Sequence, residues 1–208
     1  MNGTAHMAAG AAAGFITANS TGSDLSATAI LVTAGAISGL MPDMDIDGKL
    51  SNKVTFSPKM IRAVAQVIGS MMILYSFLEE QGREQWIGIG YGIGILMLST
   101  VITQRRMLTI TGIGVAAAGW HMDETWLWLL GIYIVIASLV SHRSYTHSLL
   151  GVIFFGFISK YFESSLQIEG VFEACMLGYA SHLVGDMKFL PFNKRGVKLF
   201  LPFTSKEI

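Results

Sequence analysis

The stretch Ser141-His-Arg-Ser-Tyr-Thr-His-Ser-Leu-Leu150 places two histidines, an arginine and several hydroxyl groups between two long apolar runs. Residues 125–140 before it and residues 149–158 after it would both prefer lipid or a protein core. The polar stretch must therefore lie at a boundary between an apolar and an aqueous environment. A boundary that carries two imidazoles is a candidate site.

The two histidines of this stretch can converge only across a turn. On one continuous helix His142 and His147 would point about 140° apart, because each residue turns the helix by roughly 100°. The pattern predicts one helix that ends at His142 and a second helix with Thr146 as its N-cap. A polar surface loop without any chemistry is the alternative interpretation.

The composition places the chain in a membrane. Only 13% of its 208 residues are charged and the mean hydropathy is +0.54, whereas soluble domains carry about 25% charged residues. No linker or charge block interrupts residues 1–208, which predicts a single integral membrane domain. The formal net charge of zero gives no reason to expect a nucleic-acid partner, and the lone Cys175 excludes an intramolecular disulfide.

Eight apolar runs predict an all-α, polytopic membrane helical bundle. Most runs are shorter than the roughly 20 residues of a spanning helix, so some helices are expected to be short or partly inserted. The runs are 5–18, 26–41, 60–78, 85–103, 109–120, 125–140, 148–161 and 171–184.

The basic residues support this order of helices. Twelve of the fourteen lysines and arginines fall in or beside the connections after the second, fourth, sixth and eighth runs, with Arg62 near the start of the third run, and the intervening connections carry mostly acidic residues. Cytoplasmic loops of inner-membrane proteins are enriched in lysine and arginine. The pattern predicts a multi-pass protein of the cytoplasmic (inner) membrane with both termini in the cytoplasm.

Several histidines and aspartates, residue types that can bind metals or transfer protons, cluster at one end of this predicted topology. Each begins or follows a helix on the cytoplasmic side, so the topology brings acids and imidazoles to one depth. The candidates are His6, Asp43, Asp45, His142, His147, His182 and Asp186.

Two glycine stripes predict how the first two helices pack. Residues 10–14 read Gly-Ala-Ala-Ala-Gly and residues 35–39 read Gly-Ala-Ile-Ser-Gly, and such stripes let helix backbones approach closely. If the antiparallel helices pack along them, His6 and Asp43 arrive at the same level. A tight bundle without any ligand is the alternative reading of the stripes.

Local spacing indicates how the other candidates face the site. His182 and Asp186 are four residues apart, one above the other on a helix face. Pro42 should end the second helix, and in an extended segment Asp43 and Asp45 would point the same way. Both carboxylates could then reach one site, or one of them could bridge two ions.

This donor set suits metal-assisted hydrolysis. Imidazole with carboxylate favours zinc, or manganese or another first-row divalent ion, over magnesium and calcium. One or two ions would fit. Arg143 could hold a phosphate through its planar guanidinium, although it could equally be a basic anchor that fixes orientation in the membrane.

Three polar blocks, in order along the chain, carry a resemblance to a known family. With His6 in the first helix, they are Pro42-Asp-Met-Asp45, His142-Arg-Ser-Tyr-Thr-His-Ser-Leu-Leu150 and Gly178-Tyr-Ala-Ser-His-Leu-Val-Gly-Asp186, followed by Gly196 and Pro202. The chain resembles the YdjM-type family of bacterial inner-membrane proteins, described as membrane-bound metal-dependent hydrolases. The resemblance implies a multi-pass, helical, metal-binding protein.

The chain departs from this family at one point. Family members tend to have a threonine about three residues after the last aspartate, where this chain has Lys188, Phe189 and Leu190. The third to fifth helices carry no family motif.

The leading hypothesis is a metal-dependent hydrolase whose site opens at the cytoplasmic face and acts on a lipid-like or phosphoester substrate. Asp45 would bridge ions or act as a base, and His142 would be a ligand or a proton donor. A non-catalytic membrane scaffold or sensor held together by a metal ion is the first alternative. An ion transporter is the second, and it is disfavoured because transport sites usually lie near the bilayer midplane.

Overall fold

The computed structural model describes residues 2–44, 57–141, 144–189, 193 and 196–208. Within these ranges it contains eight α-helices and two short 3-10 helices, and no β-strand. The α-helices are α1 (Gly3–Ser20), α2 (Leu25–Ser38), α3 (Pro58–Glu79), α4 (Gly82–Thr100), α5 (Gln104–His121), α6 (Thr125–Leu139), α7 (Leu149–Leu166) and α8 (Val171–Asp186). Each overlaps one of the predicted apolar runs, and the all-α prediction is confirmed.

The chain divides into two compact units. The larger unit comprises Met1–Ser51 and Leu108–Ile208, and the smaller comprises Asn52–Met107. The larger unit also holds the 3-10 helices, the first at Met41–Met44 and the second at Tyr145–His147. The expectation of a single domain over residues 1–208 stays a prediction.

Glycines bring α1, α2 and α8 of the larger unit into backbone contact. A Cβ atom added to Gly35 would lie 2.3 Å from the Gly10 carbonyl oxygen, and one added to Gly178 would lie 2.4 Å from the Gly35 carbonyl oxygen. A Cβ on Gly39 would likewise lie 2.6 Å from the His6 carbonyl oxygen. The helices therefore pack along the predicted stripes, and His6 stands level with the C-terminal end of α2.

The remaining helices of the larger unit complete its core. On α5 and α6, Thr109 Oγ1 and Ser138 Oγ are 2.7 Å apart in a hydrogen bond between the two helices. Phe155 of α7 stacks on Tyr179 of α8 with ring centroids 4.8 Å apart. The side chain of Leu31 on α2 is completely buried.

The C-terminal segment returns to the start of α7. Val197 and Ile208 exchange two backbone hydrogen bonds, with N···O distances of 3.0 and 3.2 Å. Leu149, the first residue of α7, donates its N–H to the Leu199 carbonyl at 2.9 Å. One of the free N–H groups at this helix end is thereby satisfied without a side-chain cap.

The smaller unit is built on the hairpin of α3 and α4. Helix α3 begins at Pro58, whose missing N–H is no loss at the first position, and Ser57 caps it by accepting from Met60 N. Gly69 and Gly92 face each other across the hairpin, since a Cβ on either would lie within 3.0 Å of the carbonyl oxygen of the other.

Two helices are long and apolar enough to cross a membrane, namely α3 and α7. Helices α4 and α5 satisfy the same criteria only when taken together, with a bend of 88° at the break between them, so the described residues contain at most three spans. Helices α2 and α6 are apolar but have only 14 and 15 residues, about 21–23 Å at 1.5 Å per residue. The chain therefore has helices long and apolar enough to span a membrane beside shorter ones, and the side on which its termini lie stays a prediction.

Candidate metal centre

Five polar side chains meet in the larger unit at the ends of four elements. His6 comes from α1, Asp43 from the first 3-10 helix, His147 from the second, and His182 and Asp186 from the last two turns of α8. Their residues are 1, 7, 0, 0 and 3% exposed, in that order. Charged or polar groups buried to this degree need partners, because an unpaired buried charge is strongly destabilising.

The distances between these groups are slightly longer than those between two ligands of one tetrahedral ion. His182 Nε2 lies 3.6 Å from Asp43 Oδ1 and 3.8 Å from Asp186 Oδ2, and His147 Nε2 lies 3.8 Å from Asp43 Oδ1. These three distances are too long for hydrogen bonds. Two ligand atoms of a tetrahedral ion, each about 2.05 Å from it, would be about 3.3 Å apart.

Two overlapping groups of three residues could hold a metal ion. One contains His6, His182 and Asp186, and the other contains Asp43, His147 and His182. In each group one ligand atom per residue lies within 4.8 Å of the others. His182 belongs to both groups and is therefore the centre of the arrangement.

The ring geometry differs on the two sides of His182. The centroids of His147 and His182 are 5.2 Å apart with the rings at 66°, and two imidazoles on one tetrahedral ion would be about 5 Å apart. The His6 ring instead stacks on His182 at 3.8 Å and 21°. His6 Nε2 also lies 3.2 Å from Asp186 Oδ1, the shortest of the His–Asp contacts.

A backbone carbonyl fixes the tautomer of His182. Its Nδ1 donates to the Gly39 carbonyl oxygen at 2.7 Å, so Nδ1 carries a proton and Nε2 is the nitrogen nearest the carboxylates. This is the arrangement of a metal-binding histidine, whose other nitrogen is held by a second group. Among the described residues, buried His182 Nε2 has no hydrogen-bond partner, so the residues present fit a divalent cation.

The first 3-10 helix positions Asp43. Helix α2 ends at Ser38, and the Asp43 N–H donates to the Leu40 carbonyl at 3.0 Å, which closes a tight turn through Pro42. The prediction that Asp43 lies in an extended segment is therefore wrong. Proline at this position removes an N–H but tolerates the 3-10 turn, and the turn directs the carboxylate inward.

The second 3-10 helix corrects the predicted start of α7. The N-cap of α7 is Ser148, not Thr146. Thr146 lies inside the 3-10 helix, where its Oγ1 pairs with His147 Nδ1 at 3.1 Å. Its hydroxyl orients the imidazole instead of capping a helix, which is a supporting contact of the kind that metal-binding histidines use.

Two buried tyrosines connect the 3-10 helices, and neither was predicted to be a site residue. The Tyr133 hydroxyl lies 3.2 Å from the Met41 carbonyl oxygen and 3.2 Å from the Tyr179 hydroxyl. The Tyr179 hydroxyl donates to the Thr146 carbonyl. Tyr179 lies three residues before His182 in the polar block 178–186, and this position beside a candidate ligand could have identified it. Tyr133 lies within the apolar run 125–140, where nothing in the sequence marks it.

The other predicted site residues are Asp45, His142 and Arg143, and they lie outside the described residues. Their assigned roles stay predictions. The structure does bring together His6, Asp43, His147, His182 and Asp186, whose role as metal ligands is likewise a prediction.

The whole chain, residues 1–208, matches the model of one protein family, described as YdjM inner membrane protein. No curated protein and no solved structure matches the chain. The match covers every helix as well as the candidate metal centre. The chain therefore belongs to the YdjM family of inner membrane proteins.

Proposed function

We propose that this chain is an integral membrane hydrolase that depends on a divalent metal ion. The observation that carries the proposal is the buried His182 Nε2 atom, which has no hydrogen-bond partner among the described residues and lies 3.6 and 3.8 Å from carboxylate oxygens of Asp43 and Asp186. The helices around this site belong to an inner membrane protein, so the proposed hydrolase is a membrane enzyme. The ligand set is His6, Asp43, His147, His182 and Asp186.

The donor types favour zinc, with manganese or another first-row ion as the next choice. Three imidazoles and two carboxylates contrast with the all-oxygen sites of calcium and magnesium. The shared His182 favours one ion, because Nδ1 is engaged with Gly39 and one nitrogen binds one ion. Two ions would require a carboxylate to bridge them.

The chemistry that such an ion supplies when bound is polarisation of a scissile ester oxygen and ionisation of water near neutral pH. The chain's own residues hold and orient this centre. Asp43 keeps the largest exposed fraction of the five, so a substrate would approach on its side. Asp45 as a base, His142 as a ligand or proton donor and Arg143 as a phosphate clamp complete the proposed machinery.

The proposed substrate is a phosphoester or a lipid-like ester reached from the cytoplasmic face. The clustering of basic residues in alternate connections supports this orientation. The same basic residues would attract anionic headgroups.

The test is turnover by the purified protein in phospholipid-containing detergent micelles. Bis(p-nitrophenyl) phosphate, p-nitrophenyl butyrate and radiolabelled phosphatidylglycerol probe the three ester classes. We expect hydrolysis of at least one, its loss on chelation, and its return on addition of zinc or manganese. His182→Ala should abolish it, and His121→Ala, which alters an exposed histidine at the end of α5, should not. Equal rates in the two variants, or no turnover of any probe, would refute the hydrolase proposal.

One observation favours the non-catalytic alternative, a scaffold or sensor held together by metal. The three imidazoles are no more than 1% exposed, and structural zinc sites are closed by protein ligands. Under this alternative, chelation lowers the unfolding temperature but no ester is cleaved. Thermal unfolding with and without chelator, run beside the turnover assay, separates the two functions.

A further inference from the structure

A long apolar groove lies on the larger unit beside the candidate metal centre. It has a volume of about 510 Å³, within the range of about 300–1,000 Å³ typical of ligand pockets. Its walls come from α2, the first 3-10 helix, α6, α7 and α8. The lining residues include Ala29, Ser38, Met41, Trp126, Phe155 and Phe162.

The groove offers almost no polar group to a ligand. The polar side chains that line it are Thr33, Ser38, Ser159 and Cys175. The Thr33 hydroxyl donates to the Ala29 carbonyl at 2.7 Å and the Ser159 hydroxyl to the Phe155 carbonyl at 2.9 Å, both within their own helices. The Cys175 thiol is hydrogen-bonded to Ser38 and Ser159. A headgroup or a peptide backbone would be left without hydrogen bonds there. An unbranched hydrocarbon chain has no such need.

The groove is lined in part by a helix suited to a bilayer. Helix α7, which supplies Phe155 and Phe162, is one of the helices long and apolar enough to span a bilayer. Along α2 the groove extends from Ala29 to Ser38, about 14 Å at 1.5 Å per residue. A groove of this direction would take a chain that lies parallel to the helices, as the chains of a bilayer do.

One end of the groove adjoins the metal centre. Ser38 precedes Gly39, whose carbonyl holds His182, and Met41 is two residues from Asp43. Trp126 and Phe162 are remote from this end. Trp126 lies 13 residues before Leu139, the end of α6 nearer the metal centre, and Phe162 lies 13 residues after Leu149, the end of α7 nearer the centre. The groove therefore leads away from the proposed reacting position.

We propose that this groove binds one acyl chain of the substrate, with the ester or phosphoester group at the metal centre and the chain end near Trp126 and Phe162. The proposal rests on the proposed function for its account of the headgroup. It narrows the substrate class to an acylated phosphoester or ester of the bilayer. A water-soluble phosphoester would leave the groove without a role.

Photolabelling tests the groove without relying on catalysis. The protein is placed in vesicles of phosphatidylethanolamine and phosphatidylglycerol that contain phosphatidylglycerol with a diazirine on one chain, and the labelled residues are mapped by mass spectrometry. A diazirine at the chain end should label Phe162 and Trp126, and one near the glycerol should label Met41. Label on the buried Phe155 would distinguish the groove from lipid that only surrounds the protein.

A matched pair of variants sharpens the result. Ala29→Trp fills the groove from α2, whereas Ala12→Trp adds the same side chain to an exposed position of α1. We expect several-fold less label on Phe155 in Ala29→Trp and unchanged label in Ala12→Trp, with equal metal content in both. Thr33→Trp, on the same wall, replaces Ala29→Trp if that variant does not fold.

The outcomes separate the two proposals. Label confined to exposed residues such as Ile153 and Phe157, a reversed order of labelling, or equal labelling in the two tryptophan variants would overturn the groove. Groove labelling in a protein that binds no metal would leave the chain-binding site standing and refute the hydrolase. Metal-dependent turnover without groove labelling would support the hydrolase and refute the chain-binding site.

Discussion

Helices α8 and α3 differ in how many of their residues they bury. Helix α8 buries nine of its 16 residues, including His182 and Asp186, against α1, α2 and α7. Helix α3 has 22 residues and buries only Gly69 and Ser76, while side chains such as Met71 face outward. An apolar surface of this kind suits lipid. The larger unit therefore holds the candidate metal centre, whereas the α3–α4 hairpin is suited to anchoring.

Glycines repeat the same contrast. Gly35 of α2 has backbone atoms of two neighbouring helices against it, and a Cβ there would clash. Gly90 of α4 has nothing within 4 Å of the place where a Cβ would lie. The same residue type therefore enforces close packing in one helix and leaves the other unconstrained.

The largest effect should come from adding one methyl group at these two glycines. Gly35→Ala should lower the free energy of unfolding by about 3 kcal/mol or more, since overpacking against rigid backbone cannot relax easily. Gly90→Ala should be neutral or up to about 1 kcal/mol stabilising, because alanine is the better helix former. Thermal or denaturant unfolding in detergent measures both. Similar values for the two variants would break the comparison.

A charge on the outward face of α3 tests the anchoring role. Met71→Asp should disfavour insertion of α3 by about 2.5–3.5 kcal/mol, whereas Met71→Leu should insert as the wild type does. A glycosylation-mapping insertion assay on this helix reports the difference. Chains of Met71→Asp that do fold should keep their metal, because all five proposed ligands belong to the larger unit. Unimpaired insertion would show that α3 does not face lipid.

The tyrosine pair tests how the two 3-10 helices are held. Tyr179→Phe removes the hydroxyl that bonds to the Thr146 carbonyl and keeps the ring, and metal affinity should fall about 10–100-fold. Tyr91→Phe alters an exposed tyrosine of α4 and should change nothing. Competition with a zinc-binding dye gives both affinities. An unchanged affinity for Tyr179→Phe would mean that Asp43 and His147 are held without the pair.

The smallest effect should come from a hydroxyl between helices. Thr109→Val loses the hydrogen bond to Ser138 and should cost about 0.6 kcal/mol, the average for such bonds between membrane helices. Among the described residues, the Thr100 hydroxyl of α4 bonds only to the Met97 carbonyl of its own helix, so Thr100→Val is the matched control and should cost less. Unfolding in detergent compares the two, and a larger loss for Thr100→Val would contradict this ranking.

The helices were predictable because apolar runs and polar connections alternate along the chain. The packing of α1 on α2 was also predictable, since the glycine stripes leave few other ways to bring backbones together. The predicted positions of the helix ends were less accurate than the predicted helices themselves. Helix α5 begins at Gln104 instead of residue 109, because the polar residues before the apolar run, including Arg105 and Arg106, are also helical.

The supporting contacts of the site could not be read from sequence. A carbonyl such as that of Gly39 carries no signature, and the turns that place Asp43 and His147 are 3-10 helices of three or four residues. Such short elements are set by contacts with distant residues, here Tyr133 and Tyr179, and not by local propensity. Spacing alone therefore suggested an extended segment at Asp43 and an N-cap at Thr146, and both were wrong.

Metal analysis of the purified chain tests the central claim most directly. Inductively coupled plasma mass spectrometry of protein purified without added chelator should find about one divalent ion per chain in the wild type and in His121→Ala. His147→Ala and His182→Ala should hold little or none, because each loses an imidazole from the buried cluster. Equal metal content in all four proteins would contradict the account.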